Sequence, residues 1–155
     1  CINYAKKYGF KHTIVRYHNI YGPNMGHEHV IPEFVRKLVN KEEFNVEGDG
    51  TESRSFCYID DAVKGTILVN NEEKAENRIY NIGNPEETTI NELISLLSTI
   101  SGIEIKPNYK PKNQAGTKRR QPDIQKASNI GYLPKISLEK GLKKTYDWYK
   151  NYFEN

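Results

Sequence analysis

Two short runs, "HTIVRYHN" and "RIYNIG", each place β-branched or aromatic residues just ahead of a small polar tip. Both are too short for a helix and carry the Thr, Ile, Val and Tyr that fill strands. Around them the apolar period becomes helical. "VIPEFVRKLV" repeats Phe34, Val35, Leu38 and Val39, and "DDAVKGTIL" sets Val63, Ile67 and Leu68 on one face. Strands alternating with helices restrict the chain to an α/β architecture, with the strands at 13–18 and 79–83 in one parallel sheet. Parallel strands are buried on both faces, so these two would need further neighbours.

Local signals set the boundaries. Gly9 ends an opening helix, and the Asp60–Asp61 pair suits a helix N-terminus. Pro32 suits the first helical position of the segment that follows it. "FNVEGDGTESRSFCYI" reads as a strand, a glycine turn and a second strand, that is, a hairpin. Thr89 and Glu92 make a capping box for a helix through Ile90, Leu93, Ile94, Leu97 and Ile100. "IEIKPNY" alternates as a strand. Ser137 caps a last helix that buries Leu138, Leu142, Thr145 and Tyr149.

Composition excludes some functions. No apolar run approaches the ~20 residues of a membrane span, and no basic-then-apolar leader opens the sequence. Cys1 and Cys57 make neither a disulfide framework nor a metal quartet, so a reducing cytoplasm is the simplest location. The net charge of +3 is small, although six cations and no acid lie between Lys106 and Arg120. That stretch reads as a solvated basic loop or an anion site, and without a nucleic-acid-binding motif it does not argue for DNA or RNA.

Several short motifs invite chemistry. "GDGTES" lacks the third glycine of G-x-G-x-x-G and leads into an extended segment, whereas a dinucleotide loop needs a helix N-terminus to receive the pyrophosphate. Tyr146 and Lys150 have the Y-x-x-x-K spacing of short-chain dehydrogenases, but a tyrosine-rich amphipathic helix gives that spacing by chance. "HEH", at His27 and His29, lacks the further ligands of a metal site. Arg54 beside the glycine turn has two readings: a salt bridge to Asp60 or Asp61, or a fork for a diphosphate. Arg120, three residues before Asp123, has the same two.

Five segments in order resemble the C-terminal half of an extended short-chain dehydrogenase/reductase of the NAD-dependent nucleotide-sugar epimerase/dehydratase family. They are "YAKKYGFKHTIVRYHNIYGP", "HVIPEFVRKL", "FNVEGDGTESRSFCYIDDAVKG", "IYNIGNPEETTINEL" and "RRQPDIQKASNIGYLPKISLEKGLKKTYDWY". The resemblance implies the later part of a Rossmann-type parallel-sheet domain plus a small mixed α/β substrate-binding lobe. Residues 1–23 would hold the last helix and strand end of the NAD-binding domain, and 24–56 a substrate-lobe helix and hairpin. Residues 57–86 would return to the Rossmann domain, and 87–155 would form the C-terminal substrate lobe.

The same resemblance assigns roles. Asn19 would hydrogen-bond the diphosphate or sugar. Tyr17 and His18 would border the nicotinamide, with His18 replacing the usual phenylalanine. Val30 and Ile31 would line the nucleotide from a loop. Asn45 and Glu47 would edge the base, with Glu47 where an aromatic is common; a carboxylate there could accept from guanine. Arg54 and Arg120 would clamp the diphosphate.

No catalytic residue and no metal ligand is expected in this chain. The glycine-rich NAD loop and the catalytic tyrosine–lysine pair would precede Cys1. The implied reaction is transient oxidation at sugar C4 by NAD, as in an epimerase, with a 4,6-dehydratase or UDP-glucuronate decarboxylase as alternatives. Alone the chain would be inactive, completed by a missing N-terminal half or a second copy. A binding module without catalysis is the reading from another class.

Overall fold

The computed structural model describes residues 1–111 and 117–154, so Lys112 of the basic stretch lies outside the described residues. In chain order the elements are α1 (Ile2–Tyr8), β1 (Thr13–Tyr17), β2 (Ile20–Tyr21), α2 (Val30–Val39), β3 (Asn45–Glu47), β4 (Ser53–Ser55) and β5 (Cys57–Tyr58). Then come α3 (Ile59–Asn71), β6 (Arg78–Ile82), β7 (Glu87–Thr89), α4 (Ile90–Ser101), β8 (Asn108–Lys110), β9 (Arg119–Arg120), α5 (Gln125–Ser128) and α6 (Leu138–Glu154). The chain divides into two compact units. The first comprises Cys1–Ile20, Ser55–Glu86 and Gln121–Ile136; the second comprises Tyr21–Arg54, Glu87–Arg120 and Ser137–Asn155. Residues 121–136 thus pack with the first unit, whereas the sequence reading grouped all of 87–155 together.

In the first unit β1 and β6 pair in parallel, from Thr13↔Arg78 to Tyr17↔Ile82. That is the pairing expected of the two β-branched runs. α1 ends where Gly9 turns left-handed (φ 72°) and its N–H reaches the Ala5 carbonyl at 2.8 Å. The core gathers Cys57, Val69, Tyr80, Ile82, Ala127 and Tyr132.

α3 begins with Asp60 and Asp61 in its first turn, as expected, but it buries Ala62, Gly65 and Val69. Val63 and Ile67 are 48% and 55% exposed, which corrects the inward face read from the apolar period. The cause is the Tyr132 ring, whose nearest carbon would lie 2.6 Å from a Cβ at residue 65. Only the small-residue face of the helix can approach that closely. Asp61 is buried (1% exposed), and its Oδ2 accepts the N–H groups of Lys135 and Ile136, each at 2.8 Å.

In the second unit α2 starts at Val30, so Pro32 is the third helical residue rather than the first. The shift costs no hydrogen bond, because the first four N–H groups of a helix have no intrahelical partner. Phe34, Val35 and Leu38 are buried, and the Phe34 and Phe44 ring centroids are 4.6 Å apart. Lys37 sets Nζ 5.8 Å from both ring centroids, 2.6 Å from Glu33 and 3.1 Å from the Asn45 carbonyl. α4 opens with the expected capping box of Thr89 and Glu92. α6 buries Leu142, Thr145, Tyr146 and Tyr149, and Ser137 Oγ accepts from the Lys140 N–H at 3.4 Å.

The hairpin over 45–55 does not form. β3 pairs in parallel with β8, and β4 lies between β7 and β9, with its β9 pairing parallel. Gly48 and Gly50 both turn left-handed, at φ 82° and 75°. Asp49 accepts from the Thr51 N–H and hydroxyl, while Asn91 N–H and Nδ2 bind the carbonyls of Gly50 and Asp49. The loop is therefore tied to the start of α4, and the two strands find separate partners. A Cβ at residue 50 would lie 1.9 Å from Asn91 Oδ1, so glycine is required there. Of "IEIKPNY" only the end is strand, since β3 offers β8 just the register Asn45↔Asn108 to Glu47↔Lys110.

Candidate functional site

The second unit contains a cavity of about 460 Å³ whose walls include Val30, Asn45, Glu47 and Arg54, together with Glu33 and Glu52. Each comes from a different local cause. Val30 is the first residue of α2. Asn45 and Glu47 share one face of β3, because side chains alternate along a strand and Val46 between them is buried. Arg54 stands on β4. Ile31, expected beside Val30 on a loop, is instead a helical residue buried in the core, 1% exposed. Helical geometry turns it about 100° from Val30, away from the wall.

Arg54 makes no ion pair among the described residues. Its Nη1 donates to two carbonyls, Ser53 at 2.7 Å and Lys118 at 3.4 Å, which orient the guanidinium without neutralising it. The reading of Arg54 as a partner for Asp61 fails, because that carboxylate accepts from Lys135 and Ile136. Arg120 is the register partner of Arg54 across the β4–β9 pair. It is exposed and makes no ion pair among the described residues. Asp123, its alternative partner, instead accepts the Gln125 N–H at 2.8 Å.

The neighbouring Arg119 is differently placed. It grips Glu87, with Nε 2.9 and 2.8 Å from the two carboxylate oxygens and Nη2 at 2.6 Å. Ser53 Oγ adds a 2.7 Å bond to the same carboxylate. The Arg119 and Ser53 hydrogen bonds hold the Glu87 pKa below the usual carboxylate value. Consecutive strand residues face opposite ways, so one arginine is spent on structure and the next is left beside Arg54.

Two polar groups of the cavity wall keep acceptor capacity. Asn45 Nδ2 donates to Glu43 at 3.3 Å, which leaves its Oδ1 buried without a partner. The Glu47 carboxylate makes no hydrogen bond or ion pair among the described residues, although Lys110 stands opposite it in register. Sequence reasoning missed Glu33 and Glu52. Glu33 is occupied by Lys37 at 2.6 Å, a pair that the i, i+4 spacing on α2 makes readable in retrospect.

The first unit carries the other predicted residues, at the C-terminal ends of β1 and β6. Parallel α/β sheets bind ligands at such ends. His18 N–H continues the ladder to the Ile82 carbonyl at 3.0 Å, and its Nε2 is buried without a partner. Gly83 sits against it. A Cβ there would meet His18 Cβ and Pro122 Cγ, both at 3.0 Å. Tyr17 is exposed, but its hydroxyl shares a 2.8 Å hydrogen bond with Thr66 Oγ1. Asn19 adopts φ 43° and donates Nδ2 to the Ser55 carbonyl at 3.0 Å, so one of its two amide donors is already used.

The remaining motifs are structural. Tyr146 is buried in the core, while Lys150 lies 3.9 Å from Glu154. His27 packs among the rings of Tyr149, Tyr152 and Phe153 at 5.1–5.9 Å, and His29 precedes α2 as its N-cap residue. Among the described residues no group of three or more His, Cys, Asp or Glu is placed to hold a metal. No described helix is long and apolar enough to cross a membrane.

Residues 1–83, more than half of the chain, match the NAD dependent epimerase/dehydratase family. The chain belongs to that family. Among curated members, a UDP-N-acetyl-alpha-D-glucosaminuronate decarboxylase of Bacillus cytotoxicus is 36% identical, with 97% of this chain and 49% of that protein aligned. A UDP-glucuronate 4-epimerase of Thermodesulfobacterium geofontis is 33% identical, with 97% and 47% aligned. A UDP-glucuronic acid 4-epimerase from Bacillus cereus, solved in complex with UDP-glucuronic acid and NAD, superposes with a TM-score of 0.89 at 32% identity; the likeness covers 97% of this chain and 48% of that one. The chain thus spans about half the length of the relatives that it matches. Within this family its fold is α/β, with a Rossmann-type parallel pairing in one unit and mixed helices and short strands in the other.

Proposed function

We propose that this chain is the nucleotide-diphosphate-sugar-binding half of an NAD-dependent sugar epimerase. The observation that carries the reading is the cavity of the second unit, where Val30, Asn45, Glu47 and Arg54 share one wall set and Arg120 pairs in register with Arg54. Two guanidinium groups that pair with no carboxylate among the described residues suit the oxygens of a diphosphate. Val30 supplies an apolar edge for the base, and Asn45 and Glu47 supply acceptors.

In the first unit the strand-end residues suit a dinucleotide. Gly83 lets His18 and Pro122 pack closely against the strand end, and His18 Nε2 is a buried polar atom without a partner. Tyr17 and His18 would border the nicotinamide, and Asn19 would offer its remaining amide donor and its oxygen to the sugar or diphosphate. When bound, NAD supplies the hydride acceptor for transient oxidation at sugar C4. In this reading the chain's own residues hold the substrate, and the catalytic base is assigned to none of them. The loop that binds the NAD pyrophosphate would lie in sequence before Cys1, so the chain alone would not turn over. A cytoplasmic location and completion by an N-terminal half or a second copy belong to the same proposal.

Decarboxylation is the second reading, favoured by the relative that carries that name and matches at 36% identity. Full-length protein incubated with NAD and a panel of nucleotide sugars tests the proposal. A C4 epimer of unchanged mass supports it. A product lighter by carbon dioxide or water replaces it with decarboxylation or dehydration, and absence of any nucleotide-sugar binding overturns it.

A further inference from the structure

The acceptors of the second-unit cavity carry a conclusion about the base, and it rests on the nucleotide-sugar reading above. Three carboxylates line the cavity, but they are not equivalent. Glu33 is neutralised by Lys37 at 2.6 Å. Glu52 packs back toward the glycine turn, its Oε1 at 3.0 Å from where a Gly48 Cβ would be. Glu47 is exposed on the cavity wall, and its carboxylate engages nothing among the described residues. Two positions before it on the same face of β3, Asn45 presents a buried Oδ1, whose orientation is fixed by the Nδ2 bond to Glu43. This part of the wall therefore offers two acceptors, the Glu47 carboxylate and Asn45 Oδ1, while one of the two Asn45 amide donors is already held by Glu43.

Nucleobases answer such a wall differently. Uracil presents one N–H between two carbonyl oxygens, so a carboxylate that meets the N–H also meets two like-signed neighbours. Adenine and cytosine each offer an amino donor beside a ring-nitrogen acceptor. Guanine places its N1–H and its exocyclic amino group side by side, matching the two oxygens of one carboxylate. A site built to receive such donors rejects bases that lack them, because its own polar groups are then left unpaired.

We infer that Glu47 selects a guanine nucleotide, with Asn45 Oδ1 as a supporting acceptor and Arg54 on the diphosphate. Glu47 is thus a specificity residue that separates this chain from relatives whose names specify UDP-sugars.

Calorimetry on the full-length protein with GDP, UDP and ADP decides the matter. Wild type should bind GDP about tenfold or more tightly than the other two, as expected when paired hydrogen bonds discriminate. Glu47→Ala should erase that ratio without lowering the melting temperature, since the side chain is exposed. Arg54→Ala should weaken all three ligands together. Equal or tighter binding of UDP, or a GDP preference that survives Glu47→Ala, overturns the inference and leaves the nucleotide-sugar reading standing. If none of the three diphosphates binds, the nucleotide-sugar reading fails and the inference fails with it.

Discussion

The polar groups of the two units are used in opposite ways. In the first unit the conspicuous ones are largely spent on the protein itself: Tyr17 on Thr66, Asn19 in part on the Ser55 carbonyl, and Asp61 on two backbone N–H groups. In the second unit structural and available groups stand side by side. Arg119 is committed to Glu87 while Arg120 is not, and Glu33 is committed to Lys37 while Glu47 is not. The contrast separates a frame held by its own hydrogen bonds from a surface that keeps charge in reserve. It also predicts that mutations in the two units fail differently.

The largest effect should come from Asp61→Ala in the first unit. It leaves the Lys135 and Ile136 N–H groups without their charged acceptor, at a cost of about 3 kcal/mol for the two bonds. Denaturant unfolding should show that loss, while nucleotide affinity measured on folded protein stays unchanged. A matching loss of affinity would break the division of labour.

Arg54→Ala should do the reverse. Nucleotide-diphosphate affinity should fall by about 2 kcal/mol, roughly thirtyfold by calorimetry, with little change in stability. Unchanged affinity would return Arg54 to a purely structural role.

Two smaller changes sharpen the picture within the second unit. Thr89→Ala removes the α4 cap and should cost about 1 kcal/mol in unfolding free energy. Glu87→Gln should show a pH signature. The Arg119 and Ser53 bonds depress the Glu87 pKa in the folded state, so its contribution is present above the ordinary carboxylate pKa and is lost as pH falls through the depressed value. The gap in denaturation midpoint between wild type and variant should therefore be widest near neutral pH and close in acid. A gap that persists in acid would show that the ion pair is not its source.

Much of this was legible before any coordinates. The β-branched runs gave the parallel pair of β1 and β6, Gly9 ended α1, and Thr89 with Glu92 opened α4, because each rests on interactions within a few residues or on a repeating apolar face. The ordered family motifs pointed to Asn45, Glu47 and Arg54, which line one cavity, and to Arg120, which pairs in register with Arg54. Long-range choices were not legible. The glycine turn at 48–50 suggested a hairpin, yet Asn91, some forty residues away, holds that loop and frees β3 and β4 for other strands.

By itself, then, the sequence determined the α/β class, most helix termini and the family. Those follow from backbone preferences, periodicity and residues in fixed order. Tertiary structure decided which charges remain available. Arg119 and Arg120 are identical in sequence terms, and only the register of β9 against β4 gives one to Glu87 and sets the other beside Arg54. The inward face of α3 was decided in the same way, by the Tyr132 ring lying on Gly65 rather than by hydrophobicity. Partner choice and steric fit depend on residues far apart along the chain, and no local pattern encodes them.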